Sequence, residues 1–484
     1  MGLSQKPKII GIFLMFLSLT MLSPVVINSI YSEHTSYPFI ISFLITFLSG
    51  FLSWFVARNT TKRLSNRDGF LIVALVWGFV TLFGSIPYMT FPGLDLSFSH
   101  AVFESASGFT TTGATVIEGL DNLPHSILFY RQQSEFFGGM GIIVLSVAIL
   151  PLLGVGGMQL YKAEIAGQWK DEKIAPKISS TAKALWLVYL LFTFLCFLAY
   201  MLVGMNPFDA ICYTFSTVST GGFAPSDASM TDKSTGVLVV CAIFLFLGAT
   251  SFKAHYIALS GLKIKHYFKN VEFKAYCYLL FFASVIVSIT MISYADDLSQ
   301  ISSIITNSIF QVISLSSSAG FVSDSNFYLW PSFLPILLMF LAIIGGCGGS
   351  TAGGLKVIRA ILFKEKALLE AKRVIHPQGV FSVKLGDIHI SEQALNRVSG
   401  YISVYILIFA AAWLALLGCG LNVETAFSTA ATTLSNVGPG LGDIGTTFKT
   451  LPNEALWICD LTMIAGRLEI FTILVLFMPE FWRK

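Results

Sequence analysis

Apolar runs recur along the whole chain, at about 9–30, 38–57, 69–91, 126–153, 183–204, 235–261, 275–294, 331–362, 398–420 and 454–478. A helix needs about 20 mainly apolar residues to cross a bilayer. The pattern therefore predicts ten spans, the eighth interrupted by glycines. Four segments of one type lie between spans three and four, five and six, seven and eight, and nine and ten. They read AVFESASGFTTTGAT (101–115), AICYTFSTVSTGGFA (210–224), SIFQVISLSSSAGFV (308–322) and AFSTAATTLSNVGPG (426–440). Each opens on a small residue in a short amphipathic stretch and closes in a polar turn with glycine. The separation is twelve in every copy: Ala101 to Gly113, Ala210 to Gly222, Ser308 to Gly320 and Ala426 to Gly438. The register persists into the following span. Gly113 to Gly139 and Gly320 to Gly346 are 26 apart, while Gly222 to Ala249 and Gly438 to Ala465 are 27 apart. A fourfold internal repeat organises the chain.

Ten to twelve helical residues, rising about 1.5 Å each, reach only about half way through a bilayer. Both flanking spans meet each segment from the outside, so it must dip in and return there. Non-helical backbone at that depth is tolerated only when buried in protein or lining a wet cavity. Four such turns predict one pore. The expected fold class is an all-α polytopic membrane protein with four pseudo-repeats of helix, re-entrant loop and helix, plus two extra N-terminal helices. Its expected units are 1–68, 69–182, 183–272, 273–395 and 396–484. One such segment alone reads equally as an ordinary outer loop; four in register do not. The turn chemistry suits a cation. The short helices end pointing inward with their partial negative charge, and Asn206-Pro207 reads as an N-cap followed by Pro at N1. Glycine frees the backbone to turn carbonyls toward an axis, and rings of carbonyls replace a potassium ion's hydration shell.

Composition agrees with a membrane protein. Only 12% of the 484 residues are charged and 55% are apolar, against about 25% charged in soluble domains. The seven Cys lie singly, with no CxxC pair, which reads as reduced, packing cysteines rather than a disulfide framework or a zinc site. The first apolar run is longer than a signal h-region and lacks a small-x-small cleavage site. Basic residues cluster at Arg58-Lys62-Arg63-Arg67, Lys162 to Lys183, Lys263 to Lys274 and Lys356 to Arg397, and at both ends. The alternate connections hold little beyond Arg131, Lys233 and Lys449, and carry acids such as Asp95, Asp121, Asp227, Asp296, Asp297, Asp324 and Asp443. Positive-inside bias then places both termini in the cytoplasm.

These features resemble the Trk/Ktr/HKT superfamily of potassium transporters, most closely the bacterial Trk-type uptake subunit. The resemblance rests on Thr110-Thr111-Thr112-Gly113-Ala114, Phe137-Gly138-Gly139-Met140-Gly141, the loop Gly345 to Gly354, Asn436-Val437-Gly438-Pro439-Gly440 and Gly466-Arg467-Leu468-Glu469-Ile470-Phe471. It implies a homodimer in the bacterial cytoplasmic membrane with one pore per subunit. It also implies a filter lined by Thr111, Thr112 and Gly113; Thr220, Gly221 and Gly222; Ser318, Ala319 and Gly320; and Asn436, Val437 and Gly438. Only the first repeat approaches the TVGYG-like filter of potassium channels, so the balance between potassium, rubidium and sodium stays open. The family pairs with a separate cytosolic, nucleotide-binding RCK-type regulatory subunit. No cofactor is expected on this chain itself, and any nucleotide would act through that partner.

The run GGCGGSTAGG (345–354) holds six glycines in ten residues. Each costs about 1 kcal/mol relative to alanine inside a helix, so the eighth span should unwind there. Gly345, Gly346, Gly348, Gly349, Ser350, Thr351, Gly353 and Gly354 are the expected mobile gate; a close-packing kink is the alternative. Gly354 is followed by Leu355-Lys356, which fails the P-loop pattern. Arg467 lies in mid-span, where an arginine costs about 2.5 to 3.5 kcal/mol on translocon scales. It reads either as a fixed positive barrier beside the loop or as a structural ion pair with Glu469 or another buried acid. Lys253 and His255 read as snorkelling side chains. Glu104 and Glu135 read as cation-gathering groups or as solvated ones. The stretch 356–397, with Lys364, Lys366, Lys372 and Arg373, is the expected docking surface. A transporter coupled to protons or sodium is the rival function, since broken helices occur in both classes. No enzyme motif such as HExxH or GxSxG is present.

Overall fold

The computed structural model describes residues 5–60, 66–144, 178–261, 265–295, 298–324, 326–331, 333–386 and 388–483. Lys62, Arg63, the basic stretch from Lys162 to residue 177, Lys263, Asp296, Asp297, Lys484 and the fourth span beyond Val144 lie outside these residues.

The N-terminal span Lys6–Ile30 pairs with Tyr37–Ala57. Their backbones meet at two glycines. A methyl group on Gly11 would stand 2.5 Å from the Gly50 carbonyl, and one on Gly50 would stand 2.8 Å from the Gly11 carbonyl. Four repeats follow. In each, a long apolar helix precedes the re-entrant segment: Asn66–Gly84 with Ile86–Thr90, Ile178–Leu202, Val271–Ser293 and Glu392–Gly418. These helices carry the exposed apolar surface, with Leu187, Leu202, Phe281 and Leu407 all more than half exposed. That is the side that faces lipid.

The re-entrant helices are Phe98–Phe109, Pro207–Ser219, Ile301–Ser316 and Val423–Ser435. They are rich in Ser and Thr yet buried toward their C-terminal ends, because those ends sit inside the ring of long helices. Three have side-chain N-caps that fix where they start. Ser97 accepts from His100 N, Asn206 from Asp209 N and Asn422 from Thr425 N. The Asn206-Pro207 reading holds.

The helices after the turns depart from expectation. Interruption was expected only in the eighth span, but breaks occur in repeats 2, 3 and 4. The stretch 235–261 is two helices, Thr235–Gly248 and Phe252–Gly261, bent by 96°. Repeat 3 has Leu334–Ile344, then a loop, then the amphipathic helix Val357–Ile375. Repeat 4 has Asn453–Arg467 and Phe471–Phe477, separated by Glu469 and Ile470 at φ of 58° and 40°. Backbone groups freed inside a membrane must find partners, and here they find one another. The Ala249 carbonyl accepts from Cys347 N (2.8 Å), the Gly248 carbonyl from Thr351 N (3.2 Å), and Phe252 N donates to the Gly349 carbonyl (3.0 Å). The break in repeat 2 and the glycine loop of repeat 3 complete each other. A small antiparallel hairpin, Val383–Leu385 with Ile388–Ile390, is the one sheet among the described residues.

Candidate ion pathway

All four re-entrant helices end in the same way. Thr111, Thr220, Ser318 and Asn436, each two residues before the repeat glycine, adopt positive φ of 51°, 52°, 59° and 54°. The next N–H in each copy reaches five residues back. Thr112 donates to Ser107 O, Gly221 to Ser216 O, Ala319 to Ser314 O and Val437 to Thr432 O, at 2.8 to 3.0 Å. This is a Schellman closure with no glycine at its left-handed position. Two of these residues are β-branched, where left-handed backbone is strained by about 1 kcal/mol or more. Such strain persists only when the surroundings over-determine it.

The turns close into a ring. A methyl on Gly113 would overlap the Gly221 carbonyl, and one on Gly222 the Ala319 carbonyl. At Gly320 it would meet Pro439 and Gly438 N, and at Gly438 the Gly113 and Thr112 carbonyls. Repeat 1 thus touches 2, 2 touches 3, 3 touches 4, and 4 returns to 1. The Asn436 Nδ2 adds a side-chain link, donating to Thr112 Oγ1 (3.1 Å) and to the Met463 carbonyl (2.9 Å). On one side of the ring a cavity of about 220 Å³ touches all four glycines, Gly113, Gly222, Gly320 and Gly438. Thr111 Oγ1 and Asn436 Oδ1 are buried in the ring without a protein partner.

On the other side lies the loop 345–354. Thr351 Oγ1 donates to the Gly248 carbonyl (3.0 Å) and meets Thr220 Oγ1 (3.2 Å). Gly353 N donates to Ser318 Oγ (2.5 Å), and Gly353 packs against the Ser435 carbonyl so closely that no methyl would fit. The loop therefore underlies repeats 2, 3 and 4. Arg467 reaches the remaining side: its guanidinium donates to the Thr351 carbonyl (2.9 Å) and to the Gly138 carbonyl of repeat 1 (3.5 Å). Arg467 is 1% exposed, and its Nε has no partner. The ion pair with Glu469 does not form, because Glu469 pairs with Arg359.

The glycines of the loop divide by task. Gly345 and Gly354 back onto one another at positive φ, while Gly346 lies against Ala352 and the Ala249 carbonyl. Gly348 N donates to Glu272 Oε1 (2.7 Å), Gly349 serves the repeat 2 break, and Ser350 closes a turn on the Cys347 carbonyl (2.6 Å).

A sequence model of the TrkH family, described as a cation transport protein, matches residues 35–484. The chain is 44% identical to the Trk system potassium uptake protein TrkH of Halomonas elongata across 100% of both chains. The chain belongs to the TrkH family of cation transport proteins. It is also 43% identical to the Trk system potassium uptake protein TrkH of Vibrio parahaemolyticus, over 99% of each chain. The fold matches the crystal structure of the potassium transporter TrkH from that organism with a TM-score of 0.91, at 41% identity and 99% coverage of both chains. A TrkH-family chain is a transporter and not an enzyme.

Several readings of charged residues need correction in this family member. Arg131 was expected in an outer connection, but it lies within the helix His125–Val144 and is 1% exposed. Glu104 and Glu135 are neither solvated nor open to arriving cations, since both are fully buried. His255 does not snorkel; its Nε2 donates to the Leu247 carbonyl (2.8 Å) and Nδ1 lies 2.6 Å from the Tyr267 hydroxyl. Lys356 escaped notice as one more basic residue of the 356–397 stretch. It is buried, at φ 74°, with its ammonium on the Ala352 carbonyl of the loop. Among the described residues no group of three or more His, Cys, Asp or Glu could hold a metal. An ion here would rely on carbonyl and hydroxyl oxygens.

Proposed function

We propose that this chain takes up potassium, and rubidium with it, through a gated, channel-like pore in the bacterial cytoplasmic membrane, with both termini cytoplasmic. The observation that carries the reading is the ring: four equivalent turns touching in cyclic order, open to a cavity on one side and closed by loop and arginine on the other. Thr111 to Gly113, Thr220 to Gly222, Ser318 to Gly320 and Asn436 to Gly438 would offer their carbonyl oxygens to a dehydrated potassium ion. The negative ends of four re-entrant helices favour a cation at the inner mouth of that ring. The related proteins are potassium uptake proteins by name, which points to the same ion.

The loop 345–354 and Arg467 serve as the gate, because a fixed positive charge held under the ring raises a barrier to any cation. The chain works as a homodimer, one pore per subunit, under a cytosolic RCK-type partner that senses nucleotide. The helix Val357–Ile375 suits that partner: Lys364 and Lys372 are exposed, as are Leu368, Val374 and Ile375. Reversing Lys364, Lys366, Lys372 and Arg373 together should weaken pull-down of such a partner; undiminished capture would contradict the docking assignment. The function itself is tested by growth. A bacterial strain lacking potassium uptake should grow on low-potassium medium when this chain is expressed with its partner. No growth despite membrane insertion would overturn the reading.

A further inference from the structure

One face of the helix His125–Val144 carries Arg131 and Glu135, one turn apart. The two residues act on consecutive groups of the neighbouring repeat. Glu135 Oε1 accepts from Phe223 N (3.0 Å), and Arg131 Nη1 donates to the Ala224 carbonyl (3.1 Å). Phe223 and Ala224 directly follow Gly222. The same guanidinium holds repeat 1's own turn: its Nε donates to Glu104 Oε1 (2.8 Å) and its Nη2 to Thr115 Oγ1 (3.1 Å). Glu104 in turn accepts from Val116 N (3.0 Å). The guanidinium also lies 4.3 Å from the centre of the Phe223 ring, a favourable cation–π distance.

We propose that Arg131 and Glu135 are positioning residues that lace the turn of repeat 1 to the turn of repeat 2 and thereby set the spacing on which ion selectivity depends. The proposal rests on the reading of these turns as a potassium filter. Three features support it. Glu135 stands directly behind the turn, since a methyl on Gly221 would fall on its carboxylate; Gly221 is the space that lets the brace approach. Next, an equivalent tie recurs without charge in repeat 3. Gln311, nine residues before Gly320 as Glu104 is before Gly113, accepts from Ser323 N (3.3 Å), three residues past the glycine as Val116 is. Lastly, a guanidinium presents several donors in a rigid fork, whereas an ammonium offers one charged point. Arg131 uses three nitrogens on three acceptors from two repeats, and at its ion pair the side chains of Arg131 and Glu104 are 1% and 0% exposed.

The test is cation binding by the full-length purified protein, read by isothermal titration with potassium, rubidium and sodium. The ring is open to the cavity side, so binding does not require the gate to open. Arg131→Lys keeps a cation beside Glu104 but cannot hold all three acceptors, and the preference for potassium over sodium should fall about tenfold. Glu135→Leu, which removes the acceptor of Phe223 N–H, should do the same. Glu135→Gln retains an oxygen acceptor and should stay within about twofold of the unaltered protein. An unchanged potassium preference in Arg131→Lys would overturn the brace, and so would one in a monodisperse Glu135→Leu. If the unaltered protein itself shows no preference for potassium, the filter reading fails instead, and the two failures are told apart.

Discussion

Arg467 rests its guanidinium on two backbone carbonyls and, among the described residues, on no carboxylate. A buried charge so placed is costly, and carbonyl partners only partly offset the cost. The two carbonyls belong to the loop and to repeat 1, so the charge bridges the loop to the one repeat that the loop does not itself contact. Arg467→Ala should raise basal potassium flux about tenfold or more in liposomes without changing the order of ions. Flux equal to that of the unaltered protein would remove Arg467 from the gate. The sequence signalled this residue clearly, because an arginine in an apolar run is conspicuous. Arg131 was read as part of an outer connection although it falls in the run 126–153, and its tie to Glu104, 27 residues away, leaves no trace in local pattern. Lys356 was hidden by the basic stretch that it opens.

Helix breaks dominate at the scale of the element. The glycine run announced the break in repeat 3, since six glycines cannot sustain a helix. The break after Gly248 carried no comparable warning, because its cause is tertiary: the loop supplies the hydrogen bonds that a continuous helix would have made. The break after Arg467 likewise depends on left-handed residues, Glu469 and Ile470, that sequence propensity disfavours. A second fastening of the loop was also illegible. Glu272, at the start of Val271–Ser293, accepts from Gly348 N (2.7 Å) and from Ile358 N (3.1 Å) and so pins the loop and the start of the next helix together. Removing a buried acceptor costs about 1 to 3 kcal/mol for the donors left unpaired. Glu272→Ala should therefore loosen the loop, raising basal potassium flux severalfold and lowering the melting temperature. A variant with unaltered flux would show that this fastening does not hold the gate shut. The re-entrant helices, by contrast, were largely legible: their polar Gly-containing ends and the Asn206 cap are local features, although the caps Ser97 and Asn422 and the 16 residues of Ile301–Ser316 went unread.

Viewed as a whole molecule, the chain is four weakly similar units wound around one ring, with two further N-terminal spans that pack on each other through Gly11 and Gly50. The constant separation of twelve residues fixed which positions would be equivalent, and the structure gives those positions the same left-handed conformation and cyclic neighbours. Equivalence of sequence position became equivalence of geometry even where the side chains differ, as Thr, Thr, Ser and Asn do. What spacing could not supply is the asymmetry: the loop comes from repeat 3 alone, Arg467 from repeat 4 and the Arg131 brace from repeat 1. A symmetric ring with asymmetric fittings suits a pore that must select one ion and also close. The most direct test of that claim is passive ion flux from liposomes containing the purified protein, under gradients of potassium, rubidium, sodium and lithium, compared with Gly222→Ala. The methyl of Gly222→Ala would overlap the Ala319 carbonyl at a φ of 96°. Flux should be driven by the ion's own gradient and favour potassium and rubidium, with that preference lost in the variant. Flux that requires a proton or sodium gradient, or a preference that survives Gly222→Ala, would contradict it.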